Sequence, residues 1–114
     1  MQGEPGLLLL WVTRDREAAL NMALLYAKNS KIHGWWDRVH LLVWGPSAKV
    51  LACDLDLQEA LAACLEAGVE AFACKACAEG YAVGGQLARL GLEVKYAGEA
   101  LTEYLKAGWK VLAI

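Results

Sequence analysis

The spacing of hydrophobic positions changes along the chain, and each change marks an element. Leu7–Thr13 reads as a first strand, because Leu7 to Val12 are apolar without interruption, as in a central parallel strand buried on both faces. From Glu17 to about Lys31 the residues Leu20, Ala23, Leu24 and Ala27 fall on one stripe at helical spacing. Val39–Trp44 is a second strand. Gly45-Pro46-Ser47 then breaks it and starts a short helix to about Cys53, with Pro46 at the first helical position. Leu57, Ala60, Leu61, Cys64 and Leu65 recur at i, i+3, i+4, i+7 and i+8, the stripe of a helix lying on a sheet. Asp56, with Glu59 three residues on, reads as the N-terminal cap of that helix.

A junction then repeats: Ala67-Gly68-Val69, Leu90-Gly91-Leu92 and Ala107-Gly108-Trp109. Each is read as a helix closed by a glycine in the left-handed cap conformation and followed at once by a strand. Strands are expected from Val69 to Cys74, over Leu92-Glu93-Val94 and over Trp109-Lys110-Val111-Leu112, giving the order β α β α α β α β α β. Strands alternating with helices of 10–15 residues predict an α/β fold of three layers, α/β/α, with a mainly parallel five-stranded sheet of flavodoxin-like type and right-handed crossovers. One domain spans 1–114 in this reading. In such sheets chemistry gathers at the carboxyl ends of the strands. Those ends are Thr13–Asp15, Trp44–Ser47, Cys74–Cys77 and Tyr96–Glu99.

Composition narrows the class. Of 114 residues 58 % are hydrophobic, which excludes disorder, and a domain of this size buries only about two-thirds of its chain surface. The excess predicts an apolar patch and a homo-oligomer to cover it. The longest apolar run is far short of the ~20 residues of a membrane span. Eleven basic against 13 acidic residues, in no block of either sign, leave no footprint for nucleic acid or an anionic membrane. Met1-Gln2-Gly3-Glu4-Pro5 has no basic residue before the apolar run and fails as the start of a signal peptide, so a cytoplasmic protein is expected.

Four cysteines, Cys53, Cys64, Cys74 and Cys77, are then expected as thiols. Cys74 ends a strand and Cys77 falls in the first turn of the next helix, an environment that stabilises a thiolate, with Lys75 as a nearby cation. A structural zinc needs four ligands, and Cys53, Cys64, His33 and His40 form no second cluster with ligand spacing; no metal or cofactor is expected. Two readings of the pair remain open, a dithiol redox centre or a persulfide-forming Cys74 with Cys77 beside it; the alternative from another class is a non-catalytic ligand-binding or assembly module. Cys77, Tyr81 and Gly84 are expected to share one helical face. Cys64 lies on the core stripe of its helix as an inert thiol, and Cys53 is read as packing. His33 is placed in a solvated loop and His40 at a strand edge with its partners satisfied.

The stretch Ala73-Cys74-Lys75-Ala76-Cys77-Ala78-Glu79-Gly80-Tyr81-Ala82-Val83, the Leu90-Gly91-Leu92 step and the closing Trp109-Lys110-Val111-Leu112 resemble the DsrE/DsrF-like family of small α/β proteins. His40–Lys49 is similar to the second-strand region of its members. Cys74 sits eight residues before Ala82, as the sulfur-accepting cysteine of relay members precedes the Gly of an Arg-Arg-Gly-Val-like stretch; here Tyr81-Ala82 replaces the basic residue and Gly. The resemblance implies a persulfide role for Cys74, a sulfur donor or acceptor protein as partner, and a trimer or hexamer.

Other residues are assigned more locally. Trp44 and Ser47 are candidate pocket residues beside Cys74, and the helix start at Ser47 is a candidate anion site. Asp15 is either a helix cap or an acid near the thiols. Trp35 and Trp36 cannot both enter one core, so one is assigned to an interface or pocket. Gly84-Gly85 inside a helix predicts close approach of another element.

Overall fold

The computed structural model describes residues 4–114; the Met1–Gly3 part of the N-terminal reading lies outside them. The strands are β1 (Leu7–Trp11), β2 (Val39–Val43), β3 (Glu70–Cys74), β4 (Glu93–Lys95) and β5 (Lys110–Ala113). They form one five-stranded sheet in the order β4-β3-β2-β1-β5, and every pairing is parallel rather than mainly so. This differs from the 2-1-3-4-5 order of flavodoxin itself. The helices are α1 (Arg16–Ala18), α2 (Leu24–Ile32), α3 (Pro46–Cys53), α4 (Leu55–Ala67), α5 (Lys75–Gly80), α6 (Gly84–Arg89) and α7 (Ala97–Lys106).

Three layers follow from the two-residue period of the strands. Leu7, Leu9, Trp11, Leu41, Val43 and Ala73 point to the face covered by helices preceding β4, packing on Ala23, Leu24, Leu51, Leu57, Leu61 and Leu87. Leu8, Leu42, Phe72 and Cys74 point to the other face, where α7 supplies Ala97 and Tyr104. Moving from β1 to β4 the chain steps one way across the sheet; among the described residues only the β4-to-β5 return runs behind it. One helix covers the second face. Part of that face is therefore open beside β3 and β4.

The glycine junctions form as expected, Gly68, Gly91 and Gly108 having φ of 104°, 93° and 83°. Several boundaries differ from the sequence reading. β1 stops at Trp11, because the N–H groups of Val12 and Thr13 both turn to the Ile114 carbonyl at 2.7 and 3.1 Å. The helix expected over Glu17–Lys31 contains a π-helical segment, Ala19–Ala23, between α1 and α2, which rotates the stripe so that Ala19, Ala23, Leu24 and Ala27 are buried and Leu20 is only partly so. Asp54, not Asp56, caps α4: its carboxylate accepts from the N–H groups of Asp56 and Leu57. Asp56 instead joins Asp54 in holding Arg16. The helix expected to carry Cys77, Tyr81 and Gly84 on one face breaks after Gly80, where Ala82 takes φ 56°. Gly84 and Gly85 begin α6 in ordinary contact distance of their neighbours, 3.8 and 3.9 Å for an added Cβ, so no element approaches closely there. Among the described residues no helix is long and apolar enough to cross a membrane.

Candidate functional site

β3 is buried toward its end, and this carries Cys74 to the floor of the carboxyl edge with 4 % of its surface exposed. Its φ and ψ of −69° and 119° are those of a helix N-cap, and its sulfur accepts the N–H of Cys77 at 3.5 Å. Cys77, half-buried in the first turn of α5, places its own sulfur against the N–H of Gly45 at 3.4 Å. Gly45 presents that N–H because it bends the chain out of β2 with φ 76°, ψ −141°, a conformation open to glycine. Two sulfurs and two loops thus meet at one edge. Burial pushes the Cys77 thiol above its ordinary range, and the adjoining Cys74 sulfur adds to the shift against the partial relief of the Gly45 N–H. α5 has only six residues, so hydrogen bonds and the neighbouring sulfur define this site more than a long helix dipole does.

The remaining expected site residues divide. Trp44 packs partly buried against the cluster that contains Cys74 and Cys77. Lys75 lies with its Nζ 5.2 Å from the Tyr96 ring centroid, a cation–π contact at the mouth. Ser47 is fully buried, and its hydroxyl donates to the carbonyls of Trp11 at 2.6 Å and Trp44 at 3.0 Å. That hydroxyl ties β1 to the start of α3 and is spent; it is not an open pocket group. Asp15 caps α1, accepting the Ala18 N–H at 3.0 Å, the cap alternative of the two readings.

All four cysteines are free thiols. Cys64 is fully buried, donates to the Leu24 carbonyl at 3.2 Å and is pushed by burial up to about 11. Cys53 ends α3 but is exposed rather than packed. Among the described residues no three His, Cys, Asp or Glu side chains gather as a metal site requires. Trp35 is 58 % exposed and stacks on the exposed His33, whereas Trp36 packs against the core and donates to the Tyr26 hydroxyl at 3.4 Å.

A second polar cluster, at the opposite end of β3, has no counterpart in the sequence reading beyond a satisfied His40. His40 and Glu70 are register partners on β2 and β3, so their side chains share the α7 face. Nε2 of His40 lies 2.6 Å from the Glu70 carboxylate and Nδ1 lies 2.5 Å from the Tyr104 hydroxyl. A carboxylate only accepts, so Nε2 carries the proton toward Glu70 and the Tyr104 O–H donates to Nδ1. Burial lowers the His40 pKa below its ordinary 6.5 and pushes Tyr104 up to about 12, keeping ring and phenol neutral near pH 7.

With this geometry the chain matches a solved structure over nearly all of its length. It superposes with a TM-score of 0.91 on BT1422, a conserved protein of unknown function from Bacteroides thetaiotaomicron, at 40 % identity over 95 % of this chain and 93 % of that one. The chain belongs to the BT1422 family. No protein-family model matches the sequence, and no curated protein does. The BT1422 fold therefore frames both ends of β3, and the chemistry of each end is argued from this chain's own residues.

Proposed function

We propose that this protein is a small thiol-based sulfur carrier in which Cys74 accepts sulfane sulfur and hands it on, as the resemblance to DsrE-like relay proteins implies. The observation that carries the reading is the sulfur pair itself: Cys74 caps α5 with Cys77 in its first turn, each sulfur receiving a backbone N–H at 3.5 and 3.4 Å. In the loading step the Cys74 thiolate attacks the outer sulfur of a donor persulfide. The new S–S bond forms on Cys74, the donor S–S bond breaks, and the donor leaves as its own thiolate. Ala82 supports the resemblance from another side. It stands where relay members carry Gly, and its φ of 56° is the conformation for which Gly is the ordinary residue.

The contact between the two sulfurs favours a second reading, a dithiol pair. There the Cys77 thiolate attacks the Cys74 persulfide, a Cys74–Cys77 disulfide forms, hydrosulfide leaves, and an external dithiol restores the pair. Intact mass after polysulfide treatment separates the two. A carrier gains sulfur in wild type and in Cys77→Ser and gains none in Cys74→Ser; a dithiol pair loses two hydrogens in wild type and holds sulfur only in Cys77→Ser. Sulfur retained on Cys74→Ser overturns both.

Four free thiols suit a reducing, cytoplasmic setting. The homo-oligomer of the proposal, a trimer or hexamer by resemblance, has a surface to use. Met22, Leu25, Tyr26, Trp35, Leu112 and Ile114 line an apolar groove of about 360 Å³ between α2 and β5. Light scattering of wild type and of Trp35→Ser tests it, and a monomer in both removes that part of the proposal.

A further inference from the structure

The contact between His40 and Glu70 is uneven. The His40 ring is 11 % exposed and fixed from behind by Tyr104 and by the Trp109 ring 4.6 Å away, while the Glu70 side chain is 76 % exposed. A buried, oriented N–H donor is thus met by a carboxylate that is free to leave for water. Two cavities adjoin at this contact. The larger, about 420 Å³, is lined by His40, Glu70, Phe72, Glu93, Lys95 and Tyr104, on the part of the sheet that α7 leaves open. The smaller, about 110 Å³, lies between Lys31, Arg38, His40 and Glu70. The Glu70 side chain borders both.

The charges around the ring favour an anion. Arg38, Lys95 and Lys31 all act on His40 in the sense that opposes a further positive charge; Glu70 answers them at the ring, and Glu93, also in the lining of the larger cavity, pairs with Lys95 at 3.6 Å. The larger cavity falls within the ~300–1,000 Å³ of small-molecule sites, and its lining is more polar than apolar. Val69 and Ala71 supply apolar lining, and His40, Tyr104, Glu70, Glu93 and Lys95 supply the polar lining.

We propose that His40 heads a binding site for a small organic carboxylate, and that Glu70 is a tethered competitor making the contact the ligand's carboxylate would make. The ligand's carboxylate accepts from Nε2–H of His40 as Glu70 turns outward, and its body lies in the larger cavity. Lys95, held over the Phe72 ring at 4.5 Å, flanks the entry. Because Glu70 occupies the donor, the apparent affinity of wild type is reduced by the fraction of molecules in which the donor is free.

Sodium benzoate and inorganic phosphate are the probes, read by NMR of the two histidine rings in histidine-labelled protein. His33, exposed and outside the cluster, is the internal control. Benzoate is expected to shift His40 saturably and leave His33 unmoved, with half-saturation about tenfold lower in Glu70→Ala than in wild type as the self-occupied state is removed. Glu70→Gln, which keeps the side-chain volume, is expected to move in the same direction and guards against a folding defect in Glu70→Ala. Equal half-saturation in wild type and both variants overturns the competitor role. Absence of a saturable His40 shift in either variant, or tighter binding of phosphate than of benzoate, overturns the carboxylate site.

Discussion

At Cys74, where β3 ends, a thiol with 4 % exposure is held by one backbone N–H and one neighbouring sulfur, in a turn closed by an alanine in left-handed conformation. At Glu70, where the same strand begins, an imidazole is held at both nitrogens, by a buried phenol at 2.5 Å and an exposed carboxylate at 2.6 Å. The strand between them is five residues long. The ends differ in what they fix. The carboxyl end keeps two thiol sulfurs under soft hydrogen bonds from backbone N–H groups, which a covalent change at Cys74 would replace. The amino end keeps a donor rigidly aimed and leaves its acceptor loose. One end suits transfer of an atom and the other suits reversible binding.

The largest expected effect on that contrast comes from Tyr104→Phe. It leaves Nδ1 of a buried ring without its donor, and urea unfolding is expected to show a loss of about 1–3 kcal/mol, with sulfur loading at Cys74 unchanged. Loss of loading as well would show that the two ends are coupled.

Acidification comes next. The His40 pKa is lowered in the folded protein by burial, so between the folded value and the ordinary 6.5 the unfolded chain binds the extra proton. The stabilising effect is complete above about pH 6.5 and declines as pH falls from there toward the folded value, by at most about 1.4 kcal/mol per pH unit for one proton. Unfolding curves at pH 7.5 and 5.5 are expected to differ in this sense, and less so in His40→Gln. A slope that survives His40→Gln assigns the effect elsewhere.

The smallest effect is at the thiol end. Ala82→Gly relieves a left-handed alanine, about 1–2 kcal/mol, but loosens the unfolded chain by about 0.4–1 kcal/mol. A net gain of at most about 1.6 kcal/mol is expected. A clear loss would mean that the Ala82 methyl packs in a way the turn geometry does not account for.

The thiol end was the more legible in sequence. Gly68, Gly91 and Gly108 announce helix ends because only a residue without Cβ takes their φ cheaply, and these ends place every strand after β2. Cys74 and Cys77 are close in sequence, so their meeting follows from one turn. What was missed depended on contacts between distant segments or on exceptions to local rules. His40, Glu70 and Tyr104 come from β2, β3 and α7, and only the parallel register of β2 on β3 makes the first two partners. α5 ends at Gly80, yet the left-handed residue is Ala82, so the turn falls on a residue type that does not signal it. The π-helical segment at Ala19–Ala23 is equally silent, being built from ordinary helix formers. Ser47 was visible as a helix start, yet its burial against the Trp11 carbonyl needed the neighbouring strand.

The claim on which the functional account rests is that Cys74 is the atom that receives sulfur. Peptide mapping of the wild-type chain after brief treatment with a polysulfide, with exposed thiols alkylated, tests it most directly. The account predicts one added sulfur mass on Cys74 within the Cys74–Cys77 stretch, with Cys64 unmodified. Added sulfur confined to Cys77, or to the exposed Cys53, would contradict it.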